Sequence, residues 1–168
     1  GMANQFILDL SKDVKRGMEK KVKRGWRPFR AAIGYKNDKY GDKGNKKIFK
    51  DEDKFILVRK MWELLLTGNY TVTRIVQIAN EEWGMRGYKN KPLNVGHAYK
   101  IFTNTFYYGE YMYRGEMVKG IHDKMISASE FDMAQKILGR KGKPRAKNKR
   151  LPFNGIIECK ECGSMITC

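Results

Sequence analysis

Three helix signatures in a row, each opened by a capping residue, constrain this chain more than any other feature. Asp51 opens the first, which runs to Thr67 with Phe55, Val58, Trp62 and Leu65 on one face and Gly68 at its end. Thr71 opens the second, where Val72, Ile75, Ile78, Ala79 and Trp83 recur at helical spacing up to Gly84. Asn94 opens a short third, carrying Val95, Ala98, Ile101 and Phe102. Aromatic alternation over residues 107–114, then Gly115, then residues 116–119 predicts a β-hairpin turning at Arg114-Gly115. Ser127 with Glu130 spells a capping box for a last helix that turns Phe131, Ala134 and Leu138 inward.

The expected class is therefore α+β and mainly helical. Three helices followed by a hairpin is the order of a winged-helix-like DNA-binding domain, whose third helix enters the major groove while the hairpin lies on the backbone. The stretch from Gly84 to Leu93 exceeds the turn of about 3–4 residues in a simple helix-turn-helix. A winged-helix relative with an enlarged turn fits best.

Ahead of this block lies a basic helix and arm. Phe6, Leu10, Val14, Met18 and Val22 recur every four positions, a narrow stripe that drifts around a long N-terminal helix. Lys20, Lys21, Lys23 and Arg24 crowd its C-terminal end, where they complement the helix dipole, and Gly25 stops it. Alone this helix has little to bury, so it reads as the tail of a longer helix or one that docks on a partner. Trp26, Arg27, Pro28, Phe29 and Arg30 then form an arm in which Pro28 biases Arg27 towards extended backbone. Arg27 and Arg30 suit a minor groove, whose narrow A·T tracts attract guanidinium groups. Trp26 and Phe29 read better as anchors on the globule. Residues 36–50 are polar and read as a loop or loose hairpin.

Charge is unevenly placed. The chain of 168 residues carries a formal net charge of +17. Residues 1–50 hold 15 basic and 5 acidic side chains, residues 51–138 hold 12 and 11, and residues 139–168 hold 8 and 2. A nearly neutral body is flanked by two basic segments. Such segments neutralise phosphates and release counterions, which points to nucleic acid before a membrane surface or mere solubility. Nothing resembles a membrane span or a signal peptide, and a cytoplasmic location is expected. Gly1 before Met2 looks like a remnant of tag removal.

Further candidates follow from side-chain chemistry. Asn94, His97, Tyr99, Lys100 and Asn104 lie on the polar side of the third helix and suit base edges and phosphates, against the plainer reading of a solvated face. Arg114 and Lys119 on the hairpin are candidate phosphate contacts. Lys143 and Arg145 belong to residues 139–150, which hold seven basic side chains and no acid, the composition of a linker. His122 reads as structural. Cys159 and Cys162, followed by Gly163, have the shape of a zinc knuckle. A structural site needs four ligands, so the pair is half of one, and Cys168 is poorly spaced to help. No catalytic constellation is visible. An RNA- or single-strand-binding protein remains the alternative, with Tyr107, Tyr108, Tyr111 and Tyr113 as a stacking platform.

Taken in order, these segments resemble the large serine recombinases, the phage-type integrases and mobile-element resolvases. The resemblance rests on the helix end and arm to Gly34-Tyr35, the block from Asp51 to Gly87, Asn104 with Tyr107 and Gly109, and His122 with Met125, Ile126 and Ser127. The opening of a zinc ribbon at residues 155–165 completes it. Departures are the absence of a proline before Gly34-Tyr35 and Ala79-Asn80 where Leu-Asn is usual. The resemblance implies residues 1–25 as the end of a helix from a catalytic domain, 26–138 as the DNA-binding recombinase domain, 139–152 as a linker and 153–168 as a truncated zinc ribbon. It implies no catalysis by this segment. In the parent protein a catalytic serine, absent from this sequence, would form a phosphoserine link. Protomers would assemble through that absent domain on double-stranded attachment sites.

Overall fold

The computed structural model describes residues 1–41 and 46–139. The linker and cysteine candidates, Lys143, Arg145, Cys159 and Cys162, lie outside the described residues.

Five α-helices and two antiparallel hairpins make up the described chain, a mixed α+β fold that is mainly helical. Helix α1 (Met2–Lys23) leads into the arm, then hairpin β1 (Tyr35–Asn37) and β2 (Ile48–Lys50). Helices α2 (Glu52–Leu66), α3 (Val72–Glu81) and α4 (Val95–Phe102) follow. Hairpin β3 (Glu110–Tyr113) and β4 (Glu116–Lys119) and helix α5 (Ala128–Ile137) complete the fold.

The caps work largely as their sequences predict. The Thr71 side chain accepts from the Arg74 amide, Asn94 from His97, and Ser127 from Glu130, whose carboxylate returns a bond to the Ser127 amide. Asp51 holds the N-cap position of α2, yet its side chain accepts no capping bond. Trp83 lies beyond the end of α3 rather than on it.

The core forms where α2 meets α3, α4, α5 and the arm. Trp62 sits at its centre, fully buried, with Phe102, Tyr107 and Phe131 around its ring. Each such side chain contributes about 1.5–3 kcal/mol by leaving water. Tyr35 brings β1 into the same core: its ring meets Phe55 and Phe106 edge-on, and its hydroxyl donates to the Asp123 carbonyl at 2.7 Å.

Of the two readings of residues 36–50 the structure takes the hairpin, with Tyr35 opposite Lys50 and Asn37 opposite Ile48. Two expectations shift. The second hairpin starts later than the aromatic alternation suggests. Residues 105–108 form a 3-10 turn, because the Asn104 side chain accepts from the Phe106 amide and draws the chain round before Gly109. The arm is extended only in part: it bends at Pro28-Phe29, and Ala31, Ala32 and Ile33 are buried. A short apolar run anchored by Tyr107, whose hydroxyl donates to the Ile33 carbonyl, gains more from the core than from solvent.

Helix α1 stands apart. None of its residues is buried, and Phe6 is 71% exposed. Its C-terminal end engages the body, through Val22 against the core and Glu19 paired with Arg114. Gly25 makes the sharp exit that follows: its φ is +78°, and an added Cβ would lie 2.7 Å from the Ile121 side chain.

Candidate nucleic-acid interface

Helix α4 carries its polar side chains on a narrow strip. Ala98, Ile101 and Phe102 face the core, leaving Lys100 in the middle of the outer face. His97 falls on one flank of that face and Tyr99 on the other, by the 100° step of a helix, and Asn104, just past the helix end, joins the His97 flank. Asn94 is already committed, since its Oδ1 accepts from the His97 amide at 2.8 Å.

The arm and the long α3–α4 connection converge on the His97 flank. Arg30 lays its guanidinium over the Tyr88 ring, 3.8 Å from the centroid. The Tyr88 hydroxyl donates to the Ala31 carbonyl at 3.0 Å, tying connection to arm. Tyr88, Ala32 and Ile33 then line a cavity of about 140 Å³ with His97, Lys100 and Asn104. Arg30, Tyr88 and the polar strip of α4 thus share one continuous surface.

Asn80 fixes how this connection leaves α3. Its side-chain amide donates to the Leu93 carbonyl at 2.8 Å and accepts from the Leu93 amide at 2.9 Å. Two bonds across 13 residues pair the helix end with the residue just before the Asn94 cap. Within the connection Lys89 and Asn90 adopt left-handed backbone, at φ 54° and 58°. Sequence reasoning passed over Asn80, Tyr88, Ala32 and Ile33. An aromatic in a polar loop was the one signal for Tyr88, and Asn80 was marked only by the family's usual Leu-Asn at Ala79-Asn80, with no sign of its partner.

Arg27 goes elsewhere. It is half-buried with its guanidinium 5.3 Å from the Phe106 centroid, and burial lowers its pKa from the ordinary value. Phe106 stacks at 3.7 Å on His122, which is only 4% exposed. His122 Nε2 lies 2.6 Å from the Phe106 carbonyl and therefore carries the proton, while Nδ1 is buried without a partner. Burial keeps this imidazole below its usual pKa, so it is a neutral structural group.

At the end of α1, Lys20, Lys23 and Arg24 are exposed and Lys21 is half-buried. Burial, and then Lys46 from the first hairpin, depress the Lys21 pKa. Two cations facing one another favour an anion between them. Lys23 also borders a cavity of about 360 Å³ with Glu19, Tyr113 and Arg114, and Arg114 pairs with Glu19. Lys119 sits at the opposite end of the hairpin, across from Glu110. The candidates therefore fall into three groups, at the arm and α4, at the α1 end, and along the hairpin.

The tyrosines offer no stacking platform for single strands. Tyr107 and Tyr111 are buried, and Tyr108 and Tyr113 are half-buried against the core. Among the described residues no cluster of three or more His, Cys, Asp or Glu is arranged to hold a metal, and no helix is long and apolar enough to cross a membrane.

Comparison with known proteins agrees with this architecture. A solved structure described as "Sequence Requirements of the Listeria innocua prophage attP site" superposes with a TM-score of 0.60 at 24% identity, over 90% of this chain and 62% of that one. Another, "Crystal Structure of a LSR-DNA Complex", gives 0.59 at 23% identity, over 88% of this chain and 45% of that one. The "Uncharacterized immunity region protein 5" of Bacillus phage phi105 is 33% identical over 85 residues, 49% of this chain and 62% of the relative. The chain thus spans less than two thirds of the length of each. The family model described as Recombinase matches residues 52–141, slightly over half of the chain and all of the α2–α5 body. The chain belongs to the Recombinase family, that of the large serine recombinases.

Proposed function

We propose that this chain reads duplex DNA for a site-specific serine recombinase, recognising part of an attachment half-site for integration, excision or inversion. The observation that carries the reading is the continuous surface formed by Arg30, Tyr88 and the polar strip of α4. A short helix that exposes Lys100 and carries half-buried His97, with Asn104 just past its end, suits the major groove, where base edges carry a unique code. Arg30, held flat on an aromatic ring beside that helix, suits the flanking phosphates. Helices α2–α4 with the second hairpin then act as a winged-helix-like reader with an enlarged turn.

Around this reader the basic segments supply attraction that is indifferent to sequence. Lys20, Lys21, Lys23 and Arg24 serve the α1 side, and Lys143 and Arg145 serve the linker side. Cys159 and Cys162 contribute half of a structural zinc site, two thiolates of the four ligands such a site takes. Strand cleavage and joining belong to the catalytic serine domain of the parent recombinase, and protomers assemble through that domain. This chain positions that chemistry on DNA and breaks no bond itself.

Selection from a random duplex pool, followed by footprinting, tests the reading. One recurrent sequence should emerge, protected across a single half-site. Arg30→Ala should weaken binding to all duplexes and lower the salt slope by about one unit. Lys100→Ala should change which sequences are preferred. Equal affinity for random and selected duplex at moderate salt would sink the proposal.

A further inference from the structure

The cavity between the arm and α4 has a chemistry of its own. Its inner wall is apolar, made by Ala32, Ile33, Ile101 and the ring of Tyr107. Both tyrosines that border it have spent their hydroxyls on the arm, Tyr107 on the Ile33 carbonyl and Tyr88 on the Ala31 carbonyl. They therefore turn ring carbons, not polar atoms, towards the space. The polar rim is different. Lys100 is a donor only, and the Asn104 Oδ1 already accepts from the Phe106 amide, which leaves its Nδ2 to donate. His97 adds a ring N–H to the rim.

An apolar dent with donors at its edge asks for a ligand that presents a methyl group beside an acceptor. Among the four bases, thymine alone shows that pair in the major groove, its C5 methyl next to O4. Cytosine presents an N4 donor, which would meet the donors of the rim. Adenine and guanine present no methyl. Size agrees: about 140 Å³ holds a methyl group with room for its ring edge. It falls well short of the roughly 300–1,000 Å³ typical of a site for a free small molecule.

We infer that the seam between the arm and α4 is a thymine-reading site, which buries the C5 methyl against Ala32, Ile33 and Ile101 and offers rim donors to O4. The inference rests on the proposed reading of duplex DNA. It assigns the arm a part in sequence recognition, beyond contact with phosphates. It also makes Tyr88 a positioning residue, because its ring closes the wall that its hydroxyl ties to the arm.

The test uses the full chain and the duplex obtained by selection, with each thymine replaced in turn by deoxyuridine. That change removes the methyl and leaves O4 and pairing intact. One position should bind about fourfold more weakly, the value of one methyl-sized group leaving water. Ala32→Leu fills the dent and should abolish the thymine–uracil difference at that position while other positions keep theirs. Circular dichroism checks that this variant folds. Lys100→Ala, at an exposed position, gives an independent measurement: it should shrink discrimination against cytosine at the same position. Insensitivity to deoxyuridine throughout the selected site overturns the inference while leaving DNA reading intact. So does a thymine preference that a folded Ala32→Leu protein retains, or, if that variant does not fold, one against cytosine that Lys100→Ala leaves unchanged. A pool that yields no enriched sequence overturns the DNA-reading function and the inference with it.

Discussion

At the scale of single residues, Arg114 is a costly choice, one of three non-glycine residues in left-handed backbone with Lys89 and Asn90. It occupies the first turn position of the second hairpin at φ 50°, followed by Gly115 at 86°. Two left-handed residues between paired Tyr113 and Glu116 match the twist of a tight hairpin, and Asn or Gly is the usual first residue there. Left-handed backbone costs an ordinary L-residue about 1–2 kcal/mol. The ion pair with Glu19 offsets about 0.5 kcal/mol of this, because both side chains are roughly half-exposed. Strain wins, so Arg114→Asn should raise the unfolding free energy by about 0.5 kcal/mol in urea denaturation. The same variant should lower the salt slope of DNA binding by about one unit if Arg114 meets a phosphate. A destabilised variant would show that the Glu19 link is worth more than the backbone strain.

At the scale of elements, one ion-pair system holds α5 onto α2. Arg59 on α2 donates from Nη2 to Glu130 at 2.7 Å, from Nη1 to the Met125 carbonyl at 2.9 Å, and from Nε to Glu63 at 3.1 Å. Glu130 also caps α5 through the Ser127 amide. The Arg59 hydrogen bond, reinforced by that cap, brings the Glu130 carboxyl from the ordinary 4.5 down to about 2. A depressed carboxylate stabilises the fold above its unfolded pKa and loses that contribution as pH falls through the folded value. Melting temperature should therefore drop between about pH 4.5 and pH 2 more steeply in the native chain than in Glu130→Gln. Glu130→Gln should cost about 1–2 kcal/mol at pH 7 and flatten that limb. Parallel profiles for the two proteins would remove Glu130 from the account.

The same contrast explains what was legible. The Ser127-Glu130 cap and the Asn94 cap act over three residues, so the sequence displays them directly. Asn80 reaches Leu93 across 13 residues and Arg59 reaches Glu130 across 71, distances over which no local pattern carries information. The interface divides along this line. The polar strip of α4 followed from helical spacing, whereas the wall supplied by Ala32, Ile33 and Tyr88 needed the fold to bring it there. Arg27 and Arg30 look equivalent in sequence and part company only in the fold, which sets Arg27 over the Phe106 ring and Arg30 over the Tyr88 ring.

For the whole molecule, the body and α1 belong to different regimes of stability. The body buries its large side chains around Trp62 and folds on its own core. The first four turns of α1 bury nothing, and Phe6, Ile7, Leu8, Leu10 and Val14 all meet solvent. Most helical stability in proteins comes from tertiary packing of an apolar face, because the nucleating turn fixes several residues for one hydrogen bond. Gly17 weakens the middle of α1 further. Only the last turn is tied down, by Val22 against the core and Glu19 to Arg114. Hydrogen exchange at low protein concentration should therefore show amides of residues 5–17 exchanging close to unprotected rates. Amides of α2 and α3 around Val58, Trp62 and Ile75 should exchange only through global opening. Protection of residues 5–17 equal to that of α2 would overturn this division. If such protection appeared only at higher concentration, a second copy would be covering the Phe6 and Leu10 stripe, and dilution would restore fast exchange.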